Sequence, residues 1–185
     1  TGKEIVSVAF WFHHTNWATS SWILLGTDTN GSNGWQAPIS TAGLPEAGNY
    51  ILMVVATDSV GNKGVDVSLN AVVDKTPPMV NVVSVPSPVM TNNVTLNWTG
   101  SDSLTGLDYY SLAVKINQGE YQMLESRLSR STTSYQVSVA PNQLMIFDLT
   151  AYDKSGNTTS QKFAMYTDGY VFPNSYILPV FFSGD

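Results

Sequence analysis

The chain has 185 residues, of which 43% are hydrophobic and 12% charged, and its net charge is −6. That hydrophobic share is enough for a packed core, whereas the acidic balance argues against nucleic-acid binding, because no basic patch is present to neutralise phosphates. The absence of cysteine excludes disulfides, thiolate metal sites and cysteine nucleophiles, and apolar runs far below the roughly 20 residues of a membrane helix predict no membrane span.

The first predicted element is a β-strand. Large apolar residues alternate with other side chains from Val6 to Phe12, which is the period of a half-buried strand. His13 and His14 follow, and neighbours in a strand point to opposite sides. They are therefore poorly placed to bind one metal ion. With no further histidine in the chain, we predict neither a metal site nor a serine-histidine-aspartate triad, and no catalytic residue.

Tryptophans crowd the region that follows this strand. Trp11 lies opposite in parity to the apolar face of the strand, and Trp17, Trp22 and Trp35 come soon after it. Exposed aromatic rings can stack on sugars or anchor a partner protein, so Trp11, Trp17 and Trp22 are candidate ligand-stacking residues. The alternative is that they fill the loop region or meet a neighbouring subunit.

Two segments of the chain repeat each other. Residues 50–62 and 145–157 each carry an alternating strand that ends in Ala-x-Asp-x-x-Gly-Asn, and the copies lie 95 residues apart, the distance from Asp58 to Asp153. Asp bonds the backbone ahead of it, and Gly and Asn tolerate left-handed dihedral angles. Each motif therefore predicts a tight turn, which leads into a second strand.

Calcium binding is the alternative interpretation of these loops. Aspartate and asparagine oxygens are the ligands that calcium prefers. Each repeat loop offers only one carboxylate, Asp58 or Asp153, so we favour turn chemistry. Asp102 and Asp108 flank Gly106 and place two carboxylates in one loop, where a solvated loop is again the favoured interpretation.

Two prolines mark the boundary between the copies. They end the segment Val73-Asp-Lys-Thr-Pro-Pro78, and adjacent prolines force an extended, semi-rigid connection. Beyond them, alternating strands are predicted near 80–85, 94–98 and 110–116. Short strands separated by turns, without a helical period, predict an all-β fold with two tandem sandwiches. We place the domains at 1–76 and 77–169, with a tail at 170–185.

These motifs resemble those of tandem bacterial immunoglobulin-like and fibronectin type III-like domains. The resemblance rests on the Asp-x-x-Gly-Asn hairpins, Gly48-Asn49-Tyr50, the Asp-Lys-Thr-Pro-Pro linker, Trp98-x-Gly-Ser-Asp102, Gly106-Leu-Asp-Tyr-Tyr110 and Glu120-Tyr121, and covers residues 5–168. It implies a secreted or cell-surface protein. It implies no catalytic residue and no cofactor, because this fold hosts many functions.

The two copies differ in how much strand material precedes them. Between the linker and Tyr110 stand residues 78–109, which hold two predicted strands, whereas five residues precede Val6, which the parity pattern aligns with Tyr110. We therefore expect the first sandwich to lack about two initial strands, leaving core side chains and a strand edge uncovered.

The tail shows the opposite imbalance. Its sequence Ser-Tyr-Ile-Leu-Pro-Val-Phe-Phe, residues 175–182, is apolar on both sides of an extended strand, which is unfavourable in water. We predict that the tail of one subunit completes the first sandwich of the next by β-strand complementation. The predicted donor strand is Tyr176, Ile177, Leu178, Val180, Phe181 and Phe182, and the predicted acceptor groove is Val8, Phe10, Phe12, Leu52 and Val54.

Such contacts run head to tail and make a homopolymer, so we expect a non-catalytic structural subunit of a surface filament or array. Other interpretations stay open. The chain could be the C-terminal spacer or carbohydrate-binding accessory module of a larger secreted enzyme or adhesin, with the missing strands upstream and glycans as ligands. The tail could also fold back on its own second domain.

The remaining features concern secretion. Thr1-Gly2-Lys3-Glu4 lacks the apolar segment of a signal peptide, so we expect an extracellular protein whose signal sequence is already removed. Four Asn-x-Ser/Thr motifs are candidate N-glycosylation sites in an organism that glycosylates its surface proteins. They begin at Asn30, Asn93, Asn97 and Asn157.

Overall fold

The computed structural model describes residues 3–14, 16, 21–38, 40–83, 85 and 87–173, and only the backbone of residues 68–70. β-Strands are the main secondary structure of the described chain, and the one helix among the described residues is a short 3-10 helix at Gly31–Asn33. The predicted all-β fold class is confirmed. The chain divides into two compact units, Thr1–Lys75 and Thr76–Asp185, where the sequence predicted a break after residue 76. The predicted donor strand lies outside the described residues.

Unit 1 contains one antiparallel sheet. Its strands are rich in β-branched and aromatic residues, which fit a pleated surface, and they pair in the order β2-β1-β3-β4. The strands are β1 (Ile5–His14), β2 (Ile23–Asp28), β3 (Ala47–Asp58) and β4 (Lys63–Val73).

Unit 2 is a two-sheet sandwich of the immunoglobulin-like class. One sheet has the order β11-β10-β7-β8, and the other has the order β5-β6-β9. The strands are β5 (Met79–Val82), β6 (Asn93–Ser101), β7 (Leu107–Ile116), β8 (Tyr121–Ser129), β9 (Ser134–Ser138), β10 (Leu144–Asp153) and β11 (Thr158–Tyr166).

The core of unit 2 lies between its sheets. Trp98 from β6 meets Tyr110 from β7 edge to face, with ring centroids 5.9 Å apart. Phe147 and Leu149 from β10 are fully buried in the same cluster. Every second residue of these strands points inward, so the alternation seen in the sequence becomes one face of the core.

The four-stranded sheets of the two units share one strand order and nearly one register. Val8 lies opposite Ala56 in unit 1, and Tyr110 lies opposite Ala151, the repeat counterpart of Ala56, in unit 2. The counterpart of Tyr110 is therefore Val8. The sequence alignment of Val6 with Tyr110 was wrong by two residues, because parity alone cannot fix which residues of two strands face each other.

Unit 1 differs from unit 2 in what covers its sheet. Its described residues contain no counterpart of the β5-β6-β9 sheet. Its buried core is small and consists of Phe12, Tyr50 and Val73, against which Leu25 and Leu44 pack. The segment between β2 and β3 thus covers part of the sheet, and no second sheet is present in the described part of the unit.

Candidate assembly site on the first sheet

The five residues predicted to line an acceptor groove lie on one face of the unit 1 sheet, here called the inner face. Phe10 lies opposite Val54, and Phe12 lies opposite Leu52. Val8 precedes Phe10 by two residues in β1 and so points the same way. The register therefore brings these side chains, from two central strands, into one apolar strip.

The strip is less covered than its counterpart in unit 2. Val8 and Phe12 are buried, but Phe10, Leu52 and Val54 are only partly buried. The equivalent residues of unit 2 lie under the β5-β6-β9 sheet and are all buried: Tyr110, Leu112, Val114, Phe147 and Leu149. Equivalent strands thus have partly exposed apolar side chains in unit 1 and buried ones in unit 2.

A cavity of about 200 Å³ opens on the inner face. Its walls are almost wholly apolar and come from all four strands and the β2–β3 segment: Phe12, Leu25, Thr41, Leu44, Tyr50, Leu52, Ala71, Val72 and Val73. A space of this size holds one or two large aliphatic side chains. Apolar walls favour an apolar occupant over water.

Polar bonds hold the loop wall of this cavity in place. The Tyr50 hydroxyl donates to the Pro45 carbonyl at 2.8 Å. The Lys75 ammonium donates to the carbonyls of Ala42 and Leu44, at 3.1 and 2.8 Å. Burial also raises the pKa of Tyr50, which keeps its hydroxyl protonated. Sequence analysis missed Leu25, Leu44 and Val73 as lining residues because no periodicity connects a loop leucine to a distant strand.

In unit 2, a residue of the segment between β5 and β6 pairs with the edge of the four-stranded sheet. Val89 forms a parallel bridge with Thr167, just beyond β11. The Val89 amide donates to the Tyr166 carbonyl at 2.9 Å, and the Asp168 amide donates to the Val89 carbonyl at 3.1 Å. In unit 1, Val73 at the end of the equivalent edge strand, β4, lies in the cavity wall.

Of the predicted ligand-stacking residues, Trp11 and Trp22 lie among the described residues, and their surroundings differ. Trp11 is half-buried on the opposite face of the sheet, called here the outer face. Trp22 packs against His13, with ring centroids 5.2 Å apart, and Trp17 lies outside the described residues. The histidines have different neighbours, because His14 meets Tyr50 edge to face at 4.9 Å.

The aspartates of the repeated motifs are engaged in turn geometry. In unit 1, Asp58 accepts from the Asn62 amide at 2.8 Å and from the Asn62 side chain at 2.7 Å. In unit 2, Asp153 accepts from the same two groups of Asn157, both at 2.8 Å. The turn glycine has a positive φ in both copies. Partial desolvation raises the pKa of Asp58, but bonds from Asn62 and the turn amides outweigh it and hold that pKa below its ordinary value.

The two carboxylates that flank Gly106 have separate partners. Asp102 accepts from the amides of Gly106 and Leu104, at 2.7 and 3.3 Å. Asp108 forms an ion pair with Arg127 at 2.8 Å. These contacts order the loop and the sheet beside it.

The four glycosylation motifs lie in different environments. Asn93 and Asn97 are exposed on one face of β6, two pleats apart. Asn30 is exposed and caps the 3-10 helix by accepting from the Ser32 amide. Asn157 is half-buried and donates its amide to Asp153, so its side chain is already committed to the turn.

The sequence was compared with known proteins. No protein-family model matches the chain, and no curated protein matches it. In the described part of the chain, no helix has the length and apolar character needed to cross a bilayer.

Proposed function

We propose that the protein is a non-catalytic structural subunit of an extracellular surface filament or array, and that subunits join by β-strand complementation. The tail strand of one copy, residues 176–182, lies on the inner face of unit 1 of the next copy. The observation that carries this proposal is the contrast between Val54 and Leu149. In unit 2 a second sheet covers the four-stranded sheet. In unit 1 the described residues leave an open apolar cavity on the equivalent sheet.

The chemistry of the tail matches that cavity. Tyr176, Leu178, Val180 and Phe182 share one side of an extended strand by parity. Burying each such side chain contributes about 2 kcal/mol before ordering costs. A cavity of about 200 Å³ takes one or two of them, and the remainder cover the strip around Phe10 and Val54.

The sheet also offers a backbone edge for the donated strand. β4 is an edge strand of unit 1, and unpaired edge groups are templates for strand addition. Val73 ends β4, and in unit 2 the bridge between Val89 and Thr167 forms just beyond the end of the equivalent strand, β11. Pro179 has no amide to donate, so pairing with β4 is expected on either side of that residue and interrupted at it.

Strand donation between a tail and a different surface is a heterologous contact, and such contacts extend into filaments when the rotation does not close. The resemblance to surface-protein domains supports an assembly outside the cell. The proposal of a non-catalytic role follows the resemblance, which supplies no catalytic residue to this chain.

The test uses the full-length chain and electron microscopy with sedimentation velocity. We expect filaments or oligomers from the parent protein, and monomers from Leu178→Asp/Val180→Asp, because two charges cannot enter the apolar cavity. Val171→Asp is the control, since Val171 is exposed outside the donor strand, and it keeps assembly. Equal assembly by the tail variant, or a monomeric parent at all concentrations, overturns strand donation.

One observation favours a second candidate, a carbohydrate-binding accessory module. An open cavity of about 650 Å³ in unit 1 is lined by Trp35 together with polar groups that suit sugar hydroxyls, among them Glu4, Asn30 and Ser32. An indole ring beside such groups is a common sugar platform. We expect the parent protein to bind glycans on an array and Trp35→Ala to abolish this binding. The near-ultraviolet circular dichroism of the variant, to which the buried Trp98 contributes, should stay unchanged and show that the variant is folded. No glycan binding by the parent protein contradicts this function.

A further inference from the structure

The outer face of the unit 1 sheet carries two neighbouring rows that are mainly apolar. Backbone pairing aligns both rows over all four strands. Neither row contains a charged side chain. The first row is Leu24, Trp11, Met53 and Val67, and the second is Thr27, Ala9, Val55 and Val65, in which Thr27 is the one polar residue.

The rim of this face is open to solvent. Val65 is 62% exposed, Val67 48% and Leu24 47%. Trp11 and Met53, between them, are partly buried. Contiguous apolar patches of this kind are uncommon on a solvated sheet face, where polar side chains are the norm, and they mark interaction sites.

Unit 2 supplies an internal control, because its sheet has the same register and a polar outer face. The Met53–Val67 pair of unit 1 corresponds to Asp148–Lys162 in unit 2. The Lys162 ammonium lies 3.7 Å from the Asp148 carboxylate, which also accepts from the Ser160 hydroxyl. The Val55–Val65 pair corresponds likewise to Thr150–Ser160. The fold thus accommodates charge at these positions, and the apolar residues of unit 1 are not a requirement of the sheet.

We propose that the outer face of unit 1 docks on the same face of a second copy of this chain, forming a lateral contact between subunits. This contact does not use the tail, so it is separate from strand donation. Its partner is identified by charge. Two copies with a net charge of −6 each repel one another, and the two rows without charge form a surface where copies approach with least repulsion.

An uncharged apolar face also fits another uncharged apolar face better than it fits a charged partner, whose groups would be desolvated without compensation. The face is modest in size. Four strands at about 4.8 Å spacing make it roughly 20 Å wide, and two such sheets would pack about 10 Å apart. A contact of that extent falls at the small end of specific interfaces, so we expect reversible, concentration-dependent pairing that polymerisation through the tail would reinforce.

The test is a sedimentation-velocity concentration series on the full-length Leu178→Asp/Val180→Asp chain, in which strand donation is blocked. We expect dimers at high concentration. Adding Met53→Asp/Val67→Lys, which installs the unit 2 pair at the same register, weakens dimerisation at least about tenfold, corresponding to 1.4 kcal/mol. Met79→Lys is the control, because Met79 is exposed in unit 2, and it leaves dimerisation unchanged.

Two further variants keep the result interpretable. Val65→Ser replaces one exposed rim residue with the unit 2 counterpart and weakens pairing without a new charge, so it serves if the double variant fails to fold. Asp148→Met/Lys162→Val makes the outer face of unit 2 apolar and strengthens association. A monomer at every concentration, or dimers that Met53→Asp/Val67→Lys and Val65→Ser leave intact, overturns the proposal; either result leaves strand donation to its own test.

Discussion

Val54 and Leu149 occupy the same position in two sheets of the same strand order, yet Leu149 is fully buried and Val54 is only partly buried. The difference comes from the layer above each residue. Leu149 lies under the β5-β6-β9 sheet, while the described residues of unit 1 place no second sheet over Val54. The same sequence pattern thus contributes differently to stability in the two units, because different layers pack against it.

Truncation of these two residues should therefore have unequal effects. Leu149→Ala leaves a cavity in a closed core and lowers the free energy of unfolding of unit 2 by about 2–5 kcal/mol. Val54→Ala removes a side chain that is already in part hydrated, and costs under about 1 kcal/mol in a monomeric chain. Native-state hydrogen exchange reports β10 and β3 separately. Equal losses of protection in both strands would show that the inner face of unit 1 is closed.

The repeated turns give a second matched pair. Asp153 is buried and accepts bonds from the Ser155 amide and from Asn157. Asp153→Ala leaves those donors unsatisfied and should destabilise unit 2 by roughly 3 kcal/mol. Asp58→Ala breaks the same bonds at an exposed turn, where water replaces them, and has a smaller effect. Urea unfolding of the two variants checks the order, and a larger loss from Asp58→Ala contradicts it.

The acid side of the stability curve should depend on Asp28. Bonds from the amides of Gln36 and Asn30 hold its pKa below its ordinary value in the folded chain. A carboxylate with a lowered folded pKa stabilises the fold above its unfolded pKa, and this contribution is lost as pH falls through the folded pKa. The urea midpoint of unit 1 should therefore decline below about pH 4. Asp28→Asn should flatten that decline, and an unchanged slope contradicts the assignment.

Local patterns in the sequence predicted many of the strands and turns and the boundary between the two units. The alternation around Phe10 and Leu112, the turn at Asp153 and the break near Pro77 each follow from rules that act within a few residues. The structure places strands, turns and a unit boundary at or near all of these positions. They were readable because strand period, turn dihedral angles and proline geometry are fixed by neighbouring atoms.

The cavity and the outer face were not readable in the same way. Leu25 lines the cavity because it lies at a bulge in β2, and Leu44 lines it because the β2–β3 segment folds over the sheet. Neither feature has a sequence signature. The outer face could be identified only from the register, which pairs Met53 with Val67. The equivalent pair in unit 2 is Asp148 and Lys162. Register depends on contacts between strands that are distant in the chain, and a one-residue slip exchanges the two faces.

A last matched pair tests the close packing of unit 2. Gly100 in β6 faces the Tyr110 ring so closely that an added Cβ would overlap the Tyr110 hydroxyl. Because Tyr110 is buried and held against Trp98, it cannot retreat, and Gly100→Ala should lower the free energy of unfolding by about 1–3 kcal/mol. Gly64→Ala, where a Cβ meets nothing within 4 Å, should be neutral or slightly stabilising. Adding Tyr110→Phe removes the overlapping oxygen and should recover part of the loss in urea unfolding. A double variant no more stable than the sum of its single changes would mean that the clash lies elsewhere.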